Sequence, residues 1–73
     1  MALIELRAEV TGSVWKIEAT VGQQLEPGAT VMILESMKME IPLIAEDGGT
    51  LVEIRVQEGA AVAEGDVLAV VRE

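Results

Sequence analysis

The sequence of 73 residues lacks cysteine, histidine, tyrosine and phenylalanine, and Trp15 is its single aromatic residue. Without cysteine the chain can form neither a disulfide nor a thiolate–metal site, and without histidine a structural zinc site is not expected. The same absences remove the commonest general bases and nucleophiles of enzymes. Ser13 and Ser36 have no histidine to activate them. We therefore expect a protein that is not an enzyme by itself and that has no metal site.

Positive charge is also scarce, because 5 lysine and arginine residues stand against 13 acidic residues and give a formal net charge of −8. Such an acidic chain is repelled by phosphate backbones, and a single aromatic residue cannot provide a platform for stacked bases. No apolar run reaches the roughly 18 residues of a membrane-spanning helix. Residues 1–9 lack the basic start and apolar centre of a signal peptide. The sequence thus predicts a cytoplasmic protein that binds neither nucleic acid nor membranes.

Aliphatic side chains are abundant, and hydrophobic residues make up 51% of the chain. A domain of this size buries only about 60% of the surface that its unfolded chain exposes, so its stability must come from an apolar core. The length allows one domain, which we expect to span residues 1–73 and to be a monomer in isolation.

The two halves of the chain match each other without gaps at an offset of 37 residues, the separation of Gly12 and Gly49. Glycine is informative in such a comparison because it marks tight turns and close backbone contacts. We interpret the match as two quasi-repeats of about 37 residues. The identical pairs are Ile4 and Ile41, Leu6 and Leu43, Ala8 and Ala45, Glu9 and Glu46, Gly12 and Gly49, Ile17 and Ile54, Gly22 and Gly59, and Gly28 and Gly65.

Each half has the pattern of short strands separated by turns. Two turn-rich links, 21–28 and 58–65, are each arranged around one apolar side chain, Leu25 or Val62. Short strands at regular spacing indicate a sandwich or a small barrel, and two equal halves indicate two sheets related by a pseudo-two-fold axis. The strand candidates are residues 2–6, 13–19, 31–35, 39–43, 50–56 and 67–72.

The segment 31–43 departs from its own local propensity. Its Leu, Met, Glu and Lys residues favour a helix, but both of its repeat equivalents look like strands, and Pro42 suits an edge strand. We therefore predict a reversal of the chain near Met37 and Lys38, where the two halves join. A tight hairpin prefers Asn-Gly, so Met-Lys would carry strain on the order of 1–3 kcal/mol per residue. Sequences usually break a local rule at functional sites.

The segment ESMKME (35–40) resembles the biotinyl-lysine motif of biotin carboxyl carrier domains, whose centre is Met-Lys-Met. The resemblance covers nearly the whole chain, including 12–17, 21–22, 26–28 and 64–66, and is strongest to short, free-standing biotin/lipoyl attachment proteins. It implies a flattened barrel or sandwich of two four-stranded antiparallel sheets, a barrel-sandwich hybrid, with the lysine exposed at a hairpin tip.

The resemblance also implies a role for each residue of the motif. Lys38 would be the covalent acceptor of biotin, Met37 and Met39 would be the flanking methionines that favour biotinylation, and Glu35 and Ser36 would complete the motif. The implied cofactor is biotin, and the implied partners are a biotin protein ligase, a biotin carboxylase and a carboxyltransferase. The domain would carry carboxyl groups between the last two.

Two other functions stay open from the sequence. Lipoyl domains usually have a centre of the type Asp-Lys-Ala, so Met-Lys-Met favours biotin, and a lipoyl carrier is the first alternative. The second is an unmodified interaction module of the same fold, in which Lys38 is an ordinary solvated lysine. We expect Trp15 to serve packing rather than recognition.

Overall fold

The structure, a computed structural model, describes residues 2–73, and this part of the chain forms strands and turns with no helix. It therefore has no helix long and apolar enough to cross a membrane. The all-β fold predicted from the sequence is confirmed. The strands are β1 Leu3–Arg7, β2 Gly12–Ile17, β3 Gln24–Leu25, β4 Ala29–Ser36, β5 Met39–Ala45, β6 Gly49–Ile54, β7 Ala61–Val62 and β8 Val67–Arg72.

The strands form two four-stranded antiparallel sheets with the orders β1-β8-β6-β3 and β5-β4-β2-β7. The offset of 37 residues converts β1, β2, β3 and β4 into β5, β6, β7 and β8. Applied to the first sheet, it reproduces the strand order of the second. Each sheet consequently contains two strands from each half of the chain.

Backbone hydrogen bonds between the halves follow the same offset. The Gly22 amide donates to the Leu51 carbonyl at 2.7 Å, and the equivalent Gly59 amide donates to the Val14 carbonyl at 2.7 Å. Both glycines have positive φ angles, 94° and 89°, a conformation that side chains disfavour. The matched glycines in the sequence thus mark matched turns in the fold.

The core lies between the two sheets and is formed by aliphatic side chains from both halves. Among the described residues no polar or charged residue is buried. The stability of the fold therefore comes from the burial of apolar side chains, since the chain has no disulfide. The largest fully buried side chains are Met32, Leu34, Leu51, Leu68, Val14, Val31 and Val71.

Strands β2 and β6 each contain an extra residue that interrupts the pairing, Trp15 in β2 and Val52 in β6. Such a β-bulge changes the direction of the side chains that follow it. In β2, Trp15 and Lys16 are both exposed. Trp15 is not a core residue, because 49% of its surface is exposed and it lies outside the buried cluster, so any packing role that it has lies at the surface.

The links 21–28 and 58–65 also differ from the expectation, because each contains a two-residue strand, β3 or β7. Their apolar residues, Leu25 and Val62, are buried at 7% and 4% exposure. Each link thus sends one side chain into the core and pairs with a strand of the other half.

Candidate functional site

The junction of the two halves is a β-hairpin with a two-residue turn. Strands β4 and β5 pair as far as Ser36 and Met39, which leaves Met37 and Lys38 as the turn. Both turn residues have positive φ angles, 51° and 66°, and they are the only non-glycine residues within 2–73 that do. The predicted reversal at Met37-Lys38 is confirmed, and its backbone conformation is the one that Asn-Gly would favour.

The side chains of the turn project away from the sheets. Met37 is 92% exposed, Met39 is 64% exposed, and Lys38 is also exposed. Within residues 2–73 the Lys38 ammonium group has no ion-pair partner. A second protein can therefore reach the Nζ atom of Lys38 without displacing a neighbouring side chain.

Two carboxylates form the second residue pair below the turn, next to the pair of Ser36 and Met39. Glu35 of β4 stands directly opposite Glu40 of β5, and both residues are exposed. Like charges at directly opposed positions destabilise a sheet. The pair makes the hairpin acidic close to its tip, where a partner that approaches Lys38 would meet both carboxylates.

The turn between β1 and β2 supports the hairpin. The Ser36 hydroxyl donates to the Thr11 carbonyl at 2.9 Å, and the Glu64 amide donates to the Thr11 hydroxyl at 3.1 Å. A Cβ atom on Gly12 would lie 2.2 Å from the Glu35 carbonyl oxygen, so only glycine fits against the hairpin there. The match of Gly12 with Gly49 indicated a tight turn or a close backbone contact at this position but not its partner, and nothing in the sequence indicated Thr11.

The five residues predicted for the site therefore all lie on this hairpin, and Ser36 is the one whose side chain anchors it. Their roles in modification stay predictions. A cleft of about 240 Å³ between β1 and β5 lies outside the predicted site, because its lining starts at Ile41 on the hairpin side. The arrangement thus presents one accessible amine on a supported turn.

The chain matches one protein family over nearly its whole length and is similar to small proteins of bacteria. The family model described as "Biotin-requiring enzyme" matches residues 3–71. The biotin/lipoyl attachment protein of Bacillus subtilis is 48% identical over 60 residues, which cover 82% of each chain. The biotinylated protein TB7.3 homolog of Mycobacterium leprae is 37% identical over 67 residues, which cover 92% of this chain and 94% of that protein.

A solved structure with the same fold is part of a much larger protein. The crystal structure of the Kluyveromyces lactis urea carboxylase superimposes with a TM-score of 0.92 at 36% identity. The match covers 99% of this chain but 6% of the carboxylase chain. The fold of this chain therefore also occurs as a small segment of a large enzyme.

Proposed function

The chain belongs to the biotin/lipoyl attachment family and is a biotin-carrier domain, and from this premise we propose that Lys38 is the residue to which biotin is attached. The observation that carries the proposal is the exposed Lys38 at the tip of the two-residue turn between β4 and β5. Biotin is attached through an amide bond to a lysine Nζ atom, so this amine must be able to enter the active site of a ligase. Lys38 meets this need because it projects from a turn.

The residues around Lys38 fit a covalently held group. Ser36 and Gly12 hold the hairpin against the β1–β2 turn, so the tethered group starts from a defined position. Amide formation converts the Nζ ammonium into a neutral N–H, which changes the formal net charge from −8 to −9 by loss of one positive charge. When bound, biotin supplies a ureido nitrogen that can take up and release a carboxyl group.

We propose further that the catalytic steps belong to a biotin protein ligase, a biotin carboxylase and a carboxyltransferase. The chemistry of the chain supports this division, because it contains neither histidine nor cysteine. The similar domain in the urea carboxylase occupies 6% of that chain, which is consistent with catalytic parts located elsewhere. Tethering would raise the effective concentration of the carried group at these active sites, to roughly millimolar values for a short flexible connection.

The proposal is tested by co-expression of the protein with a biotin protein ligase, followed by intact-mass measurement. We expect a mass gain of one biotin less one water in the wild type and no gain in the Lys38→Arg variant. Lys16→Arg changes the only other lysine of the chain and should gain the full mass. A gain retained by Lys38→Arg would refute the assignment. A gain of one lipoyl group would indicate a lipoyl carrier, and an unmodified wild type would favour an interaction module.

A further inference from the structure

The outer surfaces of the two sheets are related by the 37-residue offset but differ in character. Val70 at the centre of the β1-β8-β6-β3 sheet corresponds to Ile33 at the centre of the other sheet. In the strand register Val70 lies between Glu5 of β1 and Glu53 of β6. It is only 5% exposed although it faces away from the core cluster, so other side chains cover it.

Two ion pairs provide this cover. Arg7 Nη2 lies 2.6 Å from Glu5 Oε1, and Arg55 Nε lies 3.0 Å from Glu53 Oε1. These four side chains line one surface together with Val70, and Leu3, which is 66% exposed, lies at the end of this surface where β1 begins. Exposed ion pairs stabilise a fold little, but the alkyl parts of arginine side chains cover apolar surface effectively. We call this surface, formed by Glu5, Arg7, Glu53, Arg55 and Val70, the covered face.

The equivalent surface of the other sheet has no such cover. The offset replaces Glu5 and Arg7 with Pro42 and Ile44, and it replaces Glu53 and Arg55 with Lys16 and Glu18. The extra residue of the bulge is Val52 on the covered face and the larger Trp15 here. Trp15 and Ile44 are 49% and 38% exposed. We call the surface formed by Trp15, Lys16, Ile33, Pro42 and Ile44 the open face.

The border of the open face is acidic. Glu18 follows β2, and Glu35 and Glu40 lie opposite each other near the hairpin tip. Together with Lys16 of the open face, these positions carry three carboxylates and one ammonium group. A complementary surface would have an apolar centre that accepts the indole of Trp15 and lysine or arginine side chains at its border.

The position of Lys38 identifies the partner. An enzyme that modifies the Nζ atom of Lys38 must approach the domain closely, because this atom is only one lysine side chain away from the backbone of the turn. A standard protein–protein interface uses about 20–30 residues on each side, many more than Met37 and Lys38 can supply. The contact must therefore extend from the tip, and the two strands that form the hairpin, β4 and β5, lead onto the open face.

We propose that the open face is the docking surface for the ligase that modifies Lys38, and that the ligase contributes an apolar patch with a cationic border. This inference rests on the proposed function. Trp15 is its centre, since buried tryptophans commonly dominate the binding energy of interfaces. The covered face has the same backbone register but carries its own ion pairs, so it provides an internal control.

The experiment measures kcat and KM for biotinylation of the whole chain by a purified biotin protein ligase. The double variant Pro42→Glu with Ile44→Arg places on β5 the Glu-x-Arg arrangement that β1 has, and it leaves the formal net charge unchanged. For this variant and for Trp15→Thr we expect KM to rise roughly tenfold or more, as for the loss of a central interface residue. We expect kcat to remain close to the wild-type value. Val52→Thr, at the equivalent bulge of the covered face, should match the wild type.

Thermal unfolding of each variant shows whether it is folded. If one of the two open-face variants is unfolded, the KM of the other variant is compared with that of the wild type. If the folded open-face variants have the wild-type KM, the open face is not the docking surface. Biotinylation of the wild type would still support the proposed function in that case. An unmodified wild type would instead overturn both. If sedimentation shows that the wild type is a dimer that Pro42→Glu with Ile44→Arg dissociates, the open face is an interface between two copies, and the proposal fails.

Discussion

At the scale of single residues, the hairpin tip holds two side chains in a conformation that suits neither. Met37 and Lys38 both have positive φ angles, where L-residues other than glycine, asparagine and aspartate are uncommon. Met37 gains little from packing, because 92% of its surface is exposed. Local strain next to an accessible amine is the pattern expected where function, and not stability, selects the residue.

We expect Met37→Asn to stabilise the domain by about 1 kcal/mol, because asparagine tolerates the left-handed conformation that methionine disfavours. Urea denaturation measures the free energy of unfolding. Met39→Asn is the matched control, since Met39 lies in β5 and strands disfavour asparagine. Equal or lower stability of Met37→Asn relative to the wild type would show that the turn is not strained.

A pair of glycine variants separates steric contact from backbone strain. Gly12 has no positive φ angle, but an added Cβ would lie 2.2 Å from the Glu35 carbonyl oxygen. Gly22 has a φ angle of 94° and open space around its Cβ position. We expect Gly22→Ala to lose about 1–2 kcal/mol through strain and Gly12→Ala to lose more, because the hairpin backbone must move. Urea denaturation ranks the two variants, and the reverse order would contradict the Gly12 contact.

At the scale of elements, the repeat predicted the hairpin between β4 and β5 but did not predict the bulges in β2 and β6. The repeat equivalents of 31–35 and 39–43 are strands, and this outweighed the helical propensity of the segment, as the observed β4 and β5 show. Gly12 and Gly49 likewise coincide with matched strand starts. A bulge depends on the register against a partner strand, which one sequence does not reveal. The sequence therefore could not show that the bulge in β2 places Trp15 outside the core.

The two short strands were missed for a related reason. Residues 21–28 and 58–65 are rich in turn residues, and only two residues of each pair with a strand. Their partners, β6 and β2, lie in the other half of the chain, far away in sequence. The local pattern identified the buried Leu25 and Val62 as the apolar centres of the links but could not show to which sheet each belongs.

At the scale of the whole molecule, the halves complete each other's sheets. Of the six strand pairs within residues 2–73, only β2 with β4 and β6 with β8 join strands of the same half. The other four, including both short strands, join the two halves. The core cluster likewise takes Val14 and Leu34 from one half and Leu51 and Leu68 from the other. The repeated sequence unit is therefore not an independent folding unit.

We accordingly expect neither peptide 1–37 nor peptide 38–73 to fold alone. Each would retain one two-stranded pair and half of the core, and an isolated two-stranded unit is marginal at best in water. NMR chemical-shift dispersion measures this directly, with the intact chain as the control. Both separate peptides should show the narrow dispersion of unfolded chains, and an equimolar mixture should recover dispersed signals at high concentration, because the missing strand pairs then form between molecules. Dispersed signals from either peptide alone, at a concentration where it is monomeric, would show that one repeat folds by itself. The conclusion that the stability of the domain comes from strand pairing between the two halves would then be wrong.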